Sequence, residues 1–223
     1  MNVPDSITPR DVAAKAQRFW RLSAEKIRAI ERRCDPAAGA PVFTVRGRYT
    51  ARGWTEWTLG FRYGSALLQF DATGERAFLE TGRRGTIERM ANHLTHFGVH
   101  DHGFNVVSTH GQLWRLMNEG RLPENPWERR CHELALRVSG AVQARRWTDL
   151  GGGAGFVHSF NGPHSLFADT IRSMRSLALA HRLGQALLGE QDRRVSLLER
   201  LVRHLETTAR YTVFYGEGRD AYD

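Results

Sequence analysis

Lysine is almost missing from this sequence: Lys15 and Lys26 are the only two among 32 basic residues, so a formal charge of +8 is carried by arginine. Guanidinium pairs in bidentate fashion with carboxylates and phosphates, which admits acidic sugars, nucleic acid and anionic surfaces as partners. What would single out nucleic acid is absent, because there is no basic stripe interleaved with aromatics and no helix-turn-helix or zinc signature. The arginines are scattered from Arg10 to Arg219, as on solvated helix faces. Cysteine is equally scarce. Cys34 and Cys131 lie far apart without a CxxC partner, which argues against a disulfide framework and a structural zinc site. They are expected to be buried small hydrophobes rather than nucleophiles. No apolar run approaches the roughly 18 residues that span a bilayer, and residues 1–20 lack the apolar centre of a secretory signal. The expectation is no membrane partner, no nucleic-acid partner and a cytoplasmic location. The glycines at 151–155 match neither GxxxxGK[ST] nor a strand-bound GxGxxG, which argues against a phosphate cradle, and no GxSxG nucleophile elbow occurs; no cofactor is expected.

Helical signals are plentiful. Thr8-Pro9 followed by Asp11 places a capping residue, a proline at the first helical position and an acid near the positive helix end. That helix is expected to reach about Cys34, with Ala16, Phe19, Trp20, Ile27 and Ile30 on its apolar face. Residues 42–58 alternate weakly and could form a short hairpin; they read as a loop of extended character. From Phe61 the pattern becomes rhythmic. Helices are expected from Phe61 to Asp71 and on to Phe97, joined by Ala72-Thr73-Gly74-Glu75, then from Phe104 to Asn118 and from the Asn125-Pro126 cap through Val142. A long glycine-rich loop from Asp149 to Pro163 follows, and long loops in compact domains tend to be functional. A last pair is expected over 165–188 and 193–211, with loop from Gly216 onward. Successive antiparallel helix pairs stack into a solenoid or close into a ring, so the fold class is all-α, and the whole chain reads as one domain.

Two carboxylates stand out. Asp101 lies in Val99-His100-Asp101-His102-Gly103-Phe104, between the end of one helix and the start of the next. Backbone amides at a helix start favour a carboxylate, and flanking imidazoles can donate to it or to sugar hydroxyls; a helix cap with two surface histidines fits the same spacing. A metal would need His93, His96, His100, His102 and Asp101 to converge, and the i, i+3 spacing of the first two departs from the i, i+4 metalloprotease motif, so no metal is expected. Asp169 lies in the first turn expected after the glycine-rich loop, where it is either an acid facing substrate or a dipole-favoured surface residue. Trp147 offers a flat face for a sugar ring and is equally a plausible core residue.

Four segments, taken in order, resemble the unsaturated glucuronyl hydrolases of glycoside hydrolase family 88. They are Trp57-Thr58-Leu59-Gly60-Phe61, His100-Asp101-His102-Gly103-Phe104, Arg145-Arg146-Trp147-Thr148-Asp149 and Phe167-Ala168-Asp169. The resemblance implies an incomplete (α/α)6 toroid of helix hairpins, covering roughly residues 10–223 and truncated at the C-terminus. It also implies an oligosaccharide substrate, produced by a polysaccharide lyase, whose terminal uronic acid carries a C4=C5 double bond. On that resemblance Asp169 is the general acid and base, Asp101 the second carboxylate that positions it, and His100, Trp57 and Trp147 line the sugar subsite. Arg62 and Tyr63 depart from the aromatic and proline that the family shows after Gly-Phe. The family's later histidine, arginine and tryptophan would fall beyond Asp223. The chain alone is therefore expected to be weakly active or inactive, with apolar helix faces inviting association with a missing half or with itself. Two other readings remain: a hydrolase of saturated glycosidic bonds on the same toroid, and a non-catalytic helical scaffold whose basic charge serves an acidic partner.

Overall fold

The computed structural model describes residues 7–51 and 56–213. Helix α1 runs Pro9–Arg33, and its start is the capping box that Thr8 and Asp11 foreshadow. The Thr8 N–H donates to the Asp11 carboxylate at 2.9 Å, while the Asp11 N–H donates to the Thr8 hydroxyl at 3.3 Å. Residues 42–58, expected as extended loop, instead open with a hairpin of β1 (Pro41–Val45) and β2 (Arg48–Ala51). Its two-residue turn places Arg46 at φ 49° and Gly47 at φ 74°. Positive φ at both central positions gives the twist that antiparallel strands need, and arginine at the first of them hides the signal from a reading keyed to Asn-Gly or Asp-Gly.

Helices α2 (Leu59–Thr73) and α3 (Arg76–Arg89) form the first antiparallel pair, turning at Gly74, with the short α4 (Ala91–Leu94) after them. The chain then forms a π-helical stretch, Gly103–Gly111, that continues without a break into α5 (Gln112–Asn118). Such widened turns are rare and concentrate at functional sites. Asn125 caps α6 (Pro126–Arg145) by accepting the Glu128 N–H at 3.2 Å. These helices lie within two or three residues of the expected bounds, except that the helix expected to reach Phe97 ends at Arg89 and the short α4 carries the chain on to Leu94.

The glycine-rich segment departs further from expectation. It begins as a second hairpin, β3 (Trp147–Gly151) with β4 (Ala154–Val157), in which Trp147 pairs with Val157 and Asp149 with Gly155. Gly151, Gly152 and Gly153 all have positive φ, a run that side chains would strain. Gly155 serves packing: a Cβ there would stand 2.3 Å from the Trp147 ring. The glycines therefore make a turn and seat an indole. The helix expected over 165–188 is shorter too, with a 3-10 stretch at Ala168–Ser173 leading into α7 (Met174–Arg182). The two-residue strands β5 (Leu187–Leu188) and β6 (Arg194–Val195) pair before α8 (Leu197–Thr212). The loop expected from Gly216 lies outside the described residues.

One core joins α1, α2, α3 and α5 through Ile27, Leu67, Phe70, Phe78, Leu113 and Leu116. A second joins α6, β4, α7 and α8 through Ala144, Val157, Met174, Leu177 and Leu197. Each fully buried leucine contributes roughly 1.5–3 kcal/mol relative to an exposed one. The π-helical stretch packs on α2, α6 and α7, which holds it between the two cores. The architecture is all-α, antiparallel helix pairs following the course of an (α/α) toroid, with small hairpins at the pair ends. No helix among the described residues is long and apolar enough to cross a membrane. Cys34 and Cys131 are half-buried, less enclosed than expected, and neither forms a disulfide.

Candidate active site

Between the β1–β2 hairpin, the start of the π-helical stretch and the 3-10 stretch lies a hollow of about 460 Å³. Asp101, His100 and Asp169 stand in it together, and Val42, Phe43, Trp57, Phe104, Phe160 and Phe167 supply apolar and aromatic wall. The geometry centres on one imidazole. His100 Nε2 lies 3.0 Å from Asp169 Oδ1 and 3.7 Å from Asp101 Oδ1. Two oxygens so close to one nitrogen cannot be farther apart than those distances combined, so residues 68 apart in sequence face one space.

The ring is fixed on every side. Its Nδ1 accepts the Phe160 N–H at 3.2 Å, so Nε2 carries the hydrogen and donates it to Asp169. Phe160 stacks on the ring at 5.8 Å between centroids, Phe167 meets it edge-on at 5.9 Å, and the His100 carbonyl accepts from Gln143 at 2.9 Å. His100 is 1% exposed and His102 is 1% exposed, which corrects the alternative of surface histidines. His102 faces away from the hollow, bridging Ser139 at 2.8 Å and the His96 carbonyl at 3.0 Å, while His93 meets the Asn105 side chain at 2.9 Å. The histidines around Asp101 thus serve separate partners, and no metal-ligand cluster forms among the described residues.

The two carboxyls differ. Asp101 is 5% exposed, and its carboxyl is held above the usual carboxylate range, chiefly by burial, with His100 opposing and the Asp169 charge reinforcing. Asp169 has 35% of its side chain exposed and is the more accessible of the two. It sits on a 3-10 stretch, not in the first turn of an α-helix.

Gly103 explains how the two acids are held together. Its N–H donates to Ser173 Oγ at 3.2 Å, and a Cβ there would stand 2.6 Å from Ser173 Cα and 2.8 Å from the Arg172 carbonyl. Gly103→Ala is therefore expected to push the segment bearing Asp169 away from the one bearing Asp101, at a cost of about 1–3 kcal/mol. Thermal unfolding would show a lower midpoint, and an unchanged midpoint would contradict this contact.

Trp57 lines the hollow, and Trp147 does not. Trp147 packs instead against the α6–α7–α8 core beneath the Arg200 guanidinium, 5.0 Å from its ring centroid. This corrects its placement at a sugar subsite: β3 turns the indole toward Gly155 and the core. Its neighbour Arg146 is the residue of that segment that serves the site. Buried on α6's terminus, Arg146 donates to the Phe97 carbonyl, to the His158 carbonyl at 3.1 Å and to the Ser159 carbonyl at 2.5 Å. It ties the loop leading into His100 to the loop leading into Phe160. A planar fork making three carbonyl bonds has no lysine equivalent. Arg146→Lys is expected to lower the unfolding midpoint by several degrees, at about 2–4 °C per kcal/mol for a chain this size; retention of the wild-type midpoint would contradict the bracing role.

Nothing in the sequence marks Val42 or Phe43 as walls of the hollow. Phe160 carried one usable signal, its position in a long segment between helices.

No protein-family model matches this sequence, and no curated protein matches it. A solved structure does match: an unsaturated glucuronyl hydrolase specific for heparin, with a TM-score of 0.66 and 15% sequence identity. The match covers 88% of this chain and 48% of that one, so the chain spans about half the length of the hydrolase it matches. At that identity the similarity shows the fold, an (α/α) toroid course shared over most of this chain.

Proposed function

We propose that the hollow is the active site of a glycoside hydrolase that removes a terminal unsaturated uronic acid from lyase-generated oligosaccharides. The observation that carries the proposal is the meeting of Asp101 and Asp169 on one imidazole inside an aromatic-walled hollow. The fold similarity and the four ordered sequence segments support the same reading.

The reaction is hydration of a vinyl ether. A proton goes to C4, the ring oxygen stabilises the cation at C5, and water adds there while losing its own proton. The resulting hemiketal opens, and the C1–O bond to the next sugar breaks. One carboxyl able to give a proton and then take one from water is enough for the cycle. Asp169 fills that role because it is the accessible carboxyl and the His100 N–H orients it. Asp101 fills the second: buried beside His100, with its carboxyl held above the usual carboxylate range, it borders the space where Asp169 meets the reacting group and positions both. Trp57 and the phenylalanines supply apolar faces on which a sugar ring packs.

The double bond absorbs in the ultraviolet, and its loss reports the reaction directly. With protein in excess over an unsaturated disaccharide, absorbance is expected to decay, while the saturated counterpart stays intact. Cleavage of the saturated sugar instead would favour ordinary glycosidic hydrolysis, and a chain that neither turns over nor binds the unsaturated disaccharide would defeat the proposal.

A further inference from the structure

A second cleft lies away from the two aspartates, between the last turns of α1 and the tip of the β1–β2 hairpin, with a volume of about 590 Å³. Lys26, Ala29, Ile30, Arg33 and Cys34 line one side, and their i, i+3, i+4, i+7, i+8 spacing makes them a single helix face. Gly47, Arg48 and Tyr49 line the other side. Three cations thus meet over an apolar floor of Ala29 and Ile30. Lys26, Arg33 and Arg48 make no ion pair among the described residues. Nearby acids are committed elsewhere: Glu31 to Arg62 at 2.9 Å, and Asp35 to the Ala37 N–H at 2.9 Å.

The same β1–β2 hairpin contributes to both cavities, Val42 and Phe43 to the hollow and Gly47, Arg48 and Tyr49 to the cleft. Val45 pairs with Arg48, and residues directly opposite in an antiparallel pair point to the same face. Phe43, two residues before Val45, shares that face, about 7 Å along the strand. Phe43 lines the hollow and Arg48 lines the cleft, so on this face of the hairpin the two cavities are about two strand residues apart.

We propose that this cleft is a remote subsite for a carboxylate or sulfate group of an acidic saccharide chain whose end residue occupies the hollow. The inference rests on the saccharide reading above and adds to it that the chain engages acidic oligomers longer than a disaccharide. Guanidinium and ammonium groups that make no ion pair among the described residues supply the charge, and Tyr49 adds a hydroxyl at the rim. A nucleic-acid strand fits less well, because the cleft offers one aromatic ring and no platform on which successive bases stack.

The test measures calorimetric affinity of the full chain for a heparin hexasaccharide. The triple variant Lys26→Ala, Arg33→Ala, Arg48→Ala is expected to bind it about ten-fold more weakly than wild type. The control variant Arg10→Ala, Lys15→Ala, Arg18→Ala removes the same charge from the same helix outside the cleft and is expected to stay close to wild type. Equal weakening in both variants would reduce the effect to net charge and overturn the proposal, as would no weakening in the cleft variant or no binding by wild type. An unsulfated uronate hexasaccharide identifies the group: weakening with both probes assigns a carboxylate, and weakening with the sulfated probe alone assigns a sulfate ester. Affinity is read without turnover. A chain that binds the hexasaccharide through the cleft yet neither binds nor turns over an unsaturated disaccharide would sink the vinyl-ether chemistry and sustain the anion subsite.

Discussion

The protein is expected to lose its fold cooperatively as pH drops from 6.5 toward about 4, well before its exposed carboxylates are neutralised. Burial holds His102 and His204 neutral down to about 4 and His110 down to about 3, with His132 beside His110 adding to the effect. An unfolded histidine takes a proton near pH 6.5. Between these values the unfolded chain binds more protons than the folded one, so stability falls with falling pH. Each histidine contributes roughly 1.4 kcal/mol per pH unit across its window, or about 3 kcal/mol over 2.5 units. Three such groups total on the order of 10 kcal/mol, comparable with the whole stability of a typical domain. The hydrogen bonds show why the proton is refused. His204 Nδ1 accepts the Val157 N–H at 3.2 Å, and His110 and His132 place their Nδ1 atoms 3.0 Å apart, where two protonated rings would repel. Circular dichroism against pH measures this. Unfolding that begins below pH 6.5, and that shifts to lower pH when His204 is replaced by glutamine, is the expected outcome. A fold intact to pH 4 would show that these imidazoles accept protons in place.

Asp101→Asn is expected to raise stability and remove activity together. The sign at Asp101 is opposite to that of the histidines. Its folded carboxyl keeps a proton to higher pH than the unfolded chain does, so between about 3.8 and its raised value stability declines as pH rises. Asparagine fills the same volume without a charge, and the penalty disappears. The unfolding midpoint near neutral pH is then expected to rise. Turnover is expected to fall by about 100-fold, because the carboxylate that positions Asp169 and the substrate is lost. Asp169→Asn is expected to reduce activity as severely while changing stability by about 1 kcal/mol or less, since it forfeits one partly exposed hydrogen bond from His100. Paired measurements of midpoint and rate separate the two residues. A destabilised Asp101→Asn protein, or one that keeps its rate, would contradict the role assigned to the buried carboxyl.

Much of the helical course was legible in the sequence because the devices that start helices are local. Thr8 with Asp11 and Asn125 before Pro126 act within one turn, and the structure uses both as caps. The hairpins were less legible. β1–β2 turns on an Arg-Gly pair, and β3–β4 turns on three glycines that resemble loop composition. The helix expected over 165–188 was overextended because apolar periodicity does not distinguish a 3-10 stretch from an α-helical turn over six residues.

At the site, Asp101, His100, Asp169 and Trp57 were all named from sequence, and the structure brings the four into one hollow. Trp147 and Arg146 were adjacent in one motif, and only the direction of β3 decides which of them faces the core. The raised Asp101 proton affinity could not be read from sequence, because it comes from burial supplied by segments distant in the chain. The phenylalanine walls were hidden for the same reason: Phe43, Phe104, Phe160 and Phe167 converge only in three dimensions.

The most direct test follows the carboxyl carbons of Asp101 and Asp169 and the ring nitrogens of His100 by nuclear magnetic resonance while an unsaturated uronate disaccharide is added. The expected result is a saturable shift at all three residues, with the His100 Nε2 hydrogen exchanging more slowly as the hollow fills, and a weaker response to the saturated disaccharide. Shifts that miss these residues, or that the two sugars produce equally, would contradict a site built to bind the unsaturated ring.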